Sequence, residues 1–353
     1  AQRSANGWTV TLSPHGTDDG ALGAARAWPR RVQARALVNA AGPWAAQFLQ
    51  QCALPAASER LSQQSLRLVK GSHIVVPRCF AHEHAYLFQG SDGRVVFAIP
   101  YEHDYTLIGT TDEPFDGEPQ TAQISLAEAA YLCEQASRFL RHPVTPADVV
   151  WHYAGVRPLL DDAHGNPSAV TRDYLLETDT QAAPLLSVWG GKLTTYRTLA
   201  ESAANTLSAL LTAPGEPSPA AWTATVLLPG GDLSAWIGPP QRPDRDFFRF
   251  LAAVRLRWPW LPGPLALRLA RAYGGRLDRL LDGANSLQAL GAEVAPGLFE
   301  IELDWLLREE WALTAEDVLW RRSKLGLHLD AAQRLAVQDW LTEAQRTRRL
   351  SSR

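Results

Sequence analysis

The sequence has 353 residues, 46% of them hydrophobic, enough for two or three ordinary domains with sizeable cores. Lys and Arg total 34 against 37 Asp and Glu, for a net charge of -3, so no overall positive field points to nucleic acid. The three cysteines, Cys52, Cys79 and Cys133, are far apart and odd in number, which excludes a disulfide framework and fits a reducing compartment; no apolar run is long enough to span a bilayer.

The chain contains no methionine, even at position 1. Its first strand-like run, residues 8–12, has no evident preceding element to pair with. Both features lead to the expectation of a fragment of a longer product. Residues 8–38 read as a hairpin: an alternating strand, a loop rich in Gly, Asp and Ala, and a second strand leading into the apolar run Ala36-Leu37-Val38-Asn39-Ala40. That run lacks polar alternation, as in a strand buried on both faces. Ala41-Gly42-Pro43-Trp44 ends it, and residues 45–51 look helical. Strands are expected at 72–77, 94–101 and 105–111. Ser125-Leu126-Ala127-Glu128 is a capping-box signature opening a helix with an apolar side. Further strands follow at 151–156, 173–178 and 185–189. Gly190-Gly191-Lys192-Leu193-Thr194-Thr195 then turns into a helix reaching about Leu211.

Residues 212–245, rich in Pro, Gly, Ala and Ser, read as a linker. Beyond it the patterns are helical, at 265–281, 299–311, 318–325 (capped by Thr314 to Asp317) and 330–344. The layout predicts an α/β (α+β) part over 1–211 and a helical domain over 246–353. The basic tail, with Arg346, Arg348, Arg349 and Arg353, reads as a solvated terminus.

Four segments carry candidate chemistry. The strand ending in Ala41-Gly42-Pro43-Trp44 would let a ligand approach backbone amides, although Gly-Pro after a strand is also an ordinary turn. Gly190 to Thr195 lies at a helix mouth, where free N–H groups and the macrodipole suit a phosphate or a flavin carbonyl oxygen, with Lys192 adding a full charge. The spacing is not that of a Walker A loop. Arg157, in an apolar strand context, needs an anionic partner; that partner is either a ligand or a carboxylate such as Asp161 or Asp173. His73, at the start of an apolar strand, has a suitable pKa for taking the hydroxyl proton as a secondary alcohol is oxidised; a structural histidine is the alternative. Cys79, His82 and His84 lack a second cluster at metal-ligand spacing, so no metal is expected.

Taken in order, "ARALVNAAGPW", "LRLVKGSHIVVPR", "FAIPYEHDYTLIGTTDEPFDGEP", "YAGVRPLL", "TRDYLLE", "SVWGGKLTTYRTLAE" and "TAEDVLWRRSKLGL" resemble the FAD-dependent glycerol-3-phosphate dehydrogenases, from roughly Trp8 to Trp340. The resemblance implies an FAD-binding domain of the amino-acid-oxidase-like type with a β-sheet substrate part, about 52–155, and a C-terminal all-α domain. It implies oxidation of sn-glycerol 3-phosphate to dihydroxyacetone phosphate, with electrons passed to a membrane quinone. It also implies a cytoplasmic protein held peripherally on the inner face of the cell membrane, and is compatible with a homodimer.

Carried onto this sequence, Ala41, Gly42, Pro43 and Trp44 would line the FAD. Gly190, Gly191, Lys192, Leu193, Thr194 and Thr195 would hold its flavin end and ribityl chain. Arg157, Lys192 and Arg172 would bind the substrate phosphate, and His73 would be the leading base, with Arg157 and Lys192 also stabilising charge beside the flavin. The Gly-x-Gly-x-x-Gly unit expected at the front of such a domain does not occur in these residues. The FAD-binding domain is therefore expected to be incomplete, and the 353 residues alone to bind FAD poorly and be inactive.

Overall fold

The computed structural model describes residues 1–13, 29–51, 64–160, 174–213, 215–217 and 220–351, with side chains to residue 347. The chain forms two units. One holds the described residues of 1–13 and 28–224, the other those of 225–353.

In chain order, the strands of the first unit are β1 (Gln2–Arg3), β2 (Trp8–Leu12), β3 (Arg30–Ala34), β4 (Leu37–Asn39), β5 (Leu66–Pro77), β6 (Tyr86–Gln89), β7 (Val95–Tyr101), β8 (Tyr105–Gly109), β9 (Glu113–Pro114), β10 (Trp151–Leu160), β11 (Tyr174–Asp179) and β12 (Leu185–Gly190). Its helices are α1 (Ala45–Gln51), α2 (Leu126–Ser137) and α3 (Tyr196–Leu211).

β2 and β3 make the expected hairpin, with Trp8 opposite Ala34. Contrary to the sequence reading, β2 does have a preceding partner. β1 pairs with it, and buried Arg3 anchors the pair by donating to the Ala183 carbonyl at 2.8 Å and to Asp179 Oδ1 at 2.9 Å. A two-residue strand is too short to show a periodic pattern. β3 and β4 also belong to different sheets rather than to one continuous strand.

The small sheet runs β11-β12-β4, with β12 and β4 parallel and Ser187 beside Asn39. β12 is buried on both sides. Leu185 and Trp189 pack with Trp8, Ala45 and Leu49, while Leu186 and Val188 pack with Ala203 of α3. β4, for which burial on both faces was expected, instead lies at the edge of this sheet with Val38 42% exposed.

The large sheet is antiparallel, in the order β10-β5-β8-β7-β6, with β9 on β5. One face, formed by Ile74, Val76, Phe88, Val96, Ala98 and Ile108, covers Leu132, Cys133 and Ala136 of α2. Ser125 caps α2 as the sequence predicts: its side chain accepts from the Glu128 N–H, and Glu128 reaches back to the Ser125 N–H. The helix buries only part of its apolar set, since Leu126 is 91% exposed and Phe139 51%. The other face of the sheet carries the candidate site. At one end Leu66 and Leu160, from β5 and β10, join the Trp8 and Trp189 core.

The second unit contains α4 (Ser234–Ile237), α5 (Pro243–Arg257), α6 (Gly263–Tyr273), α7 (Leu277–Leu280), α8 (Glu300–Glu309) and α9 (Ala331–Ser351), with a small hairpin of β13 (Glu293–Ala295) and β14 (Leu298–Phe299). Part of the segment read as a linker is folded here: Trp236 of α4 packs edge-on against Phe250 at 5.2 Å, and α5 opens at Pro243. The helix expected over 265–281 breaks at Gly274, whose φ is +53 and where a Cβ would sit 2.2 Å from the Gly230 carbonyl oxygen. Thr314 and Asp317 cap each other reciprocally, but the turn they open is π-wound over Asp317–Arg322. At the heart of this unit, Arg268 donates to both carboxylate oxygens of Glu302, at 2.7 and 2.6 Å, and Tyr273 donates to Oε1 at 2.8 Å.

Candidate active site

The site is built on two adjacent features, a pair of parallel strand ends and the open face of the antiparallel sheet. β4 and β12 run the same way, so their carboxyl ends lie side by side. β4 leads into the 3-10 turn Gly42–Trp44, and β12 leads into Gly191, Lys192 and the 3-10 turn Leu193–Thr195 that opens α3. Two segments about 150 residues apart in sequence thus form one edge. In open α/β sheets such an edge is where cofactors lie.

Buried Asn39 fixes the first turn. Its amide donates to the Ala45 carbonyl at 3.0 Å, and its Oδ1 accepts from the Ala41 N–H at 3.4 Å. Gly42 has a φ of +57 and open space where a Cβ would point. Gly190 and Gly191 have φ values of +69 and +101. At Gly42 the left-handed backbone leaves room for a planar ligand, whereas at Gly191 a Cβ would meet Leu199 Cδ1 at 3.1 Å, so glycine is needed there for packing as well. No side chain caps the first turn of α3, although the Thr195 and Tyr196 N–H groups donate to the Lys192 and Leu193 carbonyls. Lys192 is exposed and makes no ion pair among the described residues. These residues fit the flavin end of an FAD.

β10 runs past the first of these turns and beside the strand that leads into the second. It packs against β12 and against the Gly42–Trp44 turn while pairing with β5 along its whole length, with Gly155 opposite Gly71 and Arg157 opposite Val69. On this face each functional side chain lies across a glycine. The Arg157 guanidinium covers Gly71, where a Cβ would come within 2.5 Å of Nη2. The His73 ring covers its cross-strand partner Gly109, where a Cβ would come within 2.1 Å of Cδ2. Only glycine at these two positions lets the two side chains lie against the sheet.

The carboxylate partner of Arg157 is Asp112, which Nη1 contacts, while Nη2 donates to Thr110 Oγ1 at 3.0 Å. This differs from the sequence reading, which offered Asp161 or Asp173; both lie outside the described residues, as does Arg172. The pair is open to solvent, with side chains 35% and 41% exposed. Beside it, His73 stacks face to face on Tyr153 at 4.8 Å, and its Nδ1 is buried with no hydrogen-bond partner among the described residues. Burial, with help from the Arg157 charge, lowers the His73 pKa from 6.5 to about 4. The imidazole is therefore neutral near neutral pH, the form that can accept a proton, and is a weaker base than an ordinary histidine. Arg157 stands on β10 and Lys192 in the turn after β12, a strand that packs against β10, and the two share no partner among the described residues.

Sequence reasoning missed Asp112, Thr110, Gly71, Gly109 and Tyr153. Their one signal was membership of the motifs that carry the resemblance. Of the histidines near Cys79, His82 is already engaged: Nε2 lies 2.8 Å from the Tyr86 hydroxyl, and Nδ1 accepts from the His84 N–H. Among the described residues, no group of three or more His, Cys, Asp or Glu is placed to hold a metal ion.

Residues 1–197 match the family model described as FAD dependent oxidoreductase. The chain belongs to that family. A second model, described as the C-terminal domain of alpha-glycerophosphate oxidase, matches residues 221–345. Among curated family relatives, the chain is 43% identical over 346 residues to a glycerol-3-phosphate dehydrogenase of Pseudomonas aeruginosa, covering 97% of this chain and 61% of that protein. It is 38% identical over 345 residues to the D-erythritol 1-phosphate dehydrogenase of Brucella abortus, covering 98% and 63%. The solved glycerol-3-phosphate dehydrogenase of Bacillus halodurans, complexed with FAD, superposes with a TM-score of 0.69 at 28% identity, over 90% of this chain and 59% of that one. The chain thus spans about three fifths of the length of the relatives it matches.

Proposed function

We propose that this chain supplies the substrate face and the flavin-end cradle of an FAD-dependent dehydrogenase. It would oxidise the secondary hydroxyl of a polyol phosphate, with sn-glycerol 3-phosphate becoming dihydroxyacetone phosphate. The observation that carries the reading is the pairing of a neutral histidine with an accessible arginine on one sheet face, next to the glycine turns at the β4 and β12 ends. A phosphorylated alcohol needs both a fixed cation and a proton acceptor, and Arg157 and His73 are that set.

When bound, FAD accepts the two electrons released with the C–H hydrogen. The chain's own residues do the rest. Arg157 holds the phosphate through its planar fork, with Lys192 adding charge from the β12 exit. His73 takes the hydroxyl proton at an imidazole nitrogen. Tyr153, stacked on its ring, keeps the imidazole plane fixed. Gly42, Gly190 and Gly191 hold the cofactor against backbone so that the reacting carbon is presented to it.

Both curated relatives named above are dehydrogenases of polyol monophosphates, which supports the class. An amino-acid substrate is disfavoured, because a pair of cations, Arg157 and Lys192, suits a phosphate dianion better than a single carboxylate. We further propose that electrons pass to a membrane quinone and that the protein works peripherally at the inner membrane face, as the sequence resemblance implies. Among the described residues no helix is long and apolar enough to cross a membrane.

Because the 353 residues alone are expected to bind FAD poorly, the test is steady-state dye reduction by the purified flavin-loaded protein with these residues carried in a chain of the relatives' length, using sn-glycerol 3-phosphate, D-erythritol 1-phosphate, glycerol and a D-amino acid. Turnover with a phosphorylated polyol alone is the expected result, and turnover with the amino acid alone would overturn the reading. Ubiquinone reduction without hydrogen peroxide release supports the quinone acceptor, and the reverse contradicts it.

A further inference from the structure

The back of the antiparallel sheet carries a carboxylate with no role in the reading so far. Glu128, 6% exposed, receives four hydrogen-bond donors. Oε1 accepts from Ser72 Oγ and from Thr111 Oγ1, each at 2.8 Å. Oε2 accepts from the Ser125 N–H and from Lys70 Nζ, each at 2.8 Å. Thr111 Oγ1 also accepts from the Ser72 N–H at 2.9 Å, which closes the cluster.

Helix capping explains only the Ser125 bond. The other three reach β5 and the segment after β8. Side chains alternate across an extended strand, so a residue held at the back fixes the neighbours that face front. Lys70 and Ser72 bracket Gly71, and Ser72 precedes His73. Thr111 sits between Thr110 and Asp112, the two residues that hold Arg157. One carboxylate therefore grips the alternate residues of the two segments whose remaining residues form the site.

We propose that Glu128 is a positioning residue for the reaction: from the back of the sheet it sets the placement of His73 and of the Thr110 and Asp112 cradle that aims Arg157. This rests on the functional reading above and extends it to a residue that touches neither substrate nor cofactor. Burial opposes the charge on Glu128, but the donors from Lys70, Ser125, Ser72 and Thr111 outweigh it and hold the carboxyl at about 2, so the clamp stays ionised at working pH. The charged groups near it are Lys70, which it pairs with, and Arg94 and Glu113, which pair with each other across a cavity of about 400 Å³ shared with Tyr131. Every charge in that cavity is therefore partnered, which favours a structural clamp over a second ligand site.

The test uses the flavin-loaded protein with Glu128→Gln, Thr111→Val and Thr111→Ser. The Gln amide would set a donor against Lys70 or the Ser125 N–H. Val keeps the shape of Thr111 and loses its hydroxyl, whereas Ser keeps the hydroxyl. Expected are a fall in kcat of roughly tenfold to hundredfold per bound flavin in the first two variants and recovery in Thr111→Ser. The His73 imidazole, followed by NMR, should titrate at a higher pH in Glu128→Gln and Thr111→Val as its contacts loosen. Should Glu128→Gln fail to fold, Thr111→Val carries the test. Unchanged kcat and unchanged His73 titration, with only a lower Tm, would overturn the proposal. If the unaltered protein oxidises no polyol phosphate, the functional reading fails, and the His73 titration still decides whether Glu128 positions this face.

Discussion

The two units each contain a prominent arginine–carboxylate pair, and the pairs are built in opposite ways. In the helical unit, Arg268 meets Glu302 in a two-pronged contact, with the carboxylate side chain 4% exposed. Tyr273 and the Gly297 carbonyl take up remaining bonds, at 2.8 and 2.5 Å. Both carboxylate oxygens of Glu302 are thereby engaged. In the sheet unit, Arg157 meets Asp112 where both are more than a third exposed, beside a histidine with an orphaned nitrogen. A closed pair serves the fold, because opening it strands a buried charge. An open pair contributes little stability and retains capacity to bind a ligand. The contrast teaches that bond satisfaction, more than charge itself, separates a structural cation from a functional one.

The largest expected effect sharpens the functional side of that contrast. His73→Asn should lower kcat by about 10²–10⁴-fold, the range for a lost general base, with flavin content unchanged. In the unaltered protein, NMR should find His73 neutral down to about pH 4. Because this folded value lies below the ordinary 6.5, the unfolded chain takes up that proton first, and the stability linked to it falls as pH drops from 6.5 toward 4. A His73 that titrates at its ordinary value would show that burial and the Arg157 charge do not perturb the ring as the structure implies.

Next, the two arginines should fail differently. Arg157→Met should lower kcat/KM by about 10²–10³-fold while Tm hardly moves. Arg268→Met should leave Glu302 buried and unpaired, destabilising the helical unit by about 3–5 kcal/mol, read by denaturant unfolding. Matching phenotypes in the two variants would break the comparison.

A smaller effect concerns acid. Glu128 has a folded pKa near 2 against an ordinary 4.5. Its contribution, about 3 kcal/mol from that difference, is complete above 4.5 and is lost as pH falls toward 2. Glu128→Gln should therefore flatten the loss of stability of the sheet unit across that window. The smallest effect is at Lys192. Lys192 is an exposed cation without an ion-pair partner among the described residues, and Lys192→Ala should raise KM for the phosphorylated substrate by about tenfold and leave KM for the dye unchanged.

Local signals made much of this molecule legible. Apolar runs marked β4, β5, β10 and β12, and the Ser125 to Glu128 spacing marked the start of α2, because each depends on residues close in sequence. The glycine turns after β4 and β12 were legible as candidate cradles. Their adjacency was not, because it depends on the parallel pairing of two strands about 150 residues apart. Asp112 escaped for the same reason. Its partner lies 45 residues further on, and an aspartate in a loop looks like any solvated one. Glu128 was read as a cap, which it is. Its second carboxylate oxygen, bound to Ser72 and Thr111, required the sheet. β1 was missed because two residues cannot display a period.

The most direct measurement is an anaerobic one. The flavin-loaded protein is mixed with sn-glycerol 3-phosphate, and the flavin absorbance is followed before any acceptor is added. The account predicts saturable bleaching with the phosphorylated polyol, none with glycerol, and near loss of bleaching in Arg157→Met. Equal bleaching by glycerol, or full bleaching in Arg157→Met, would contradict it.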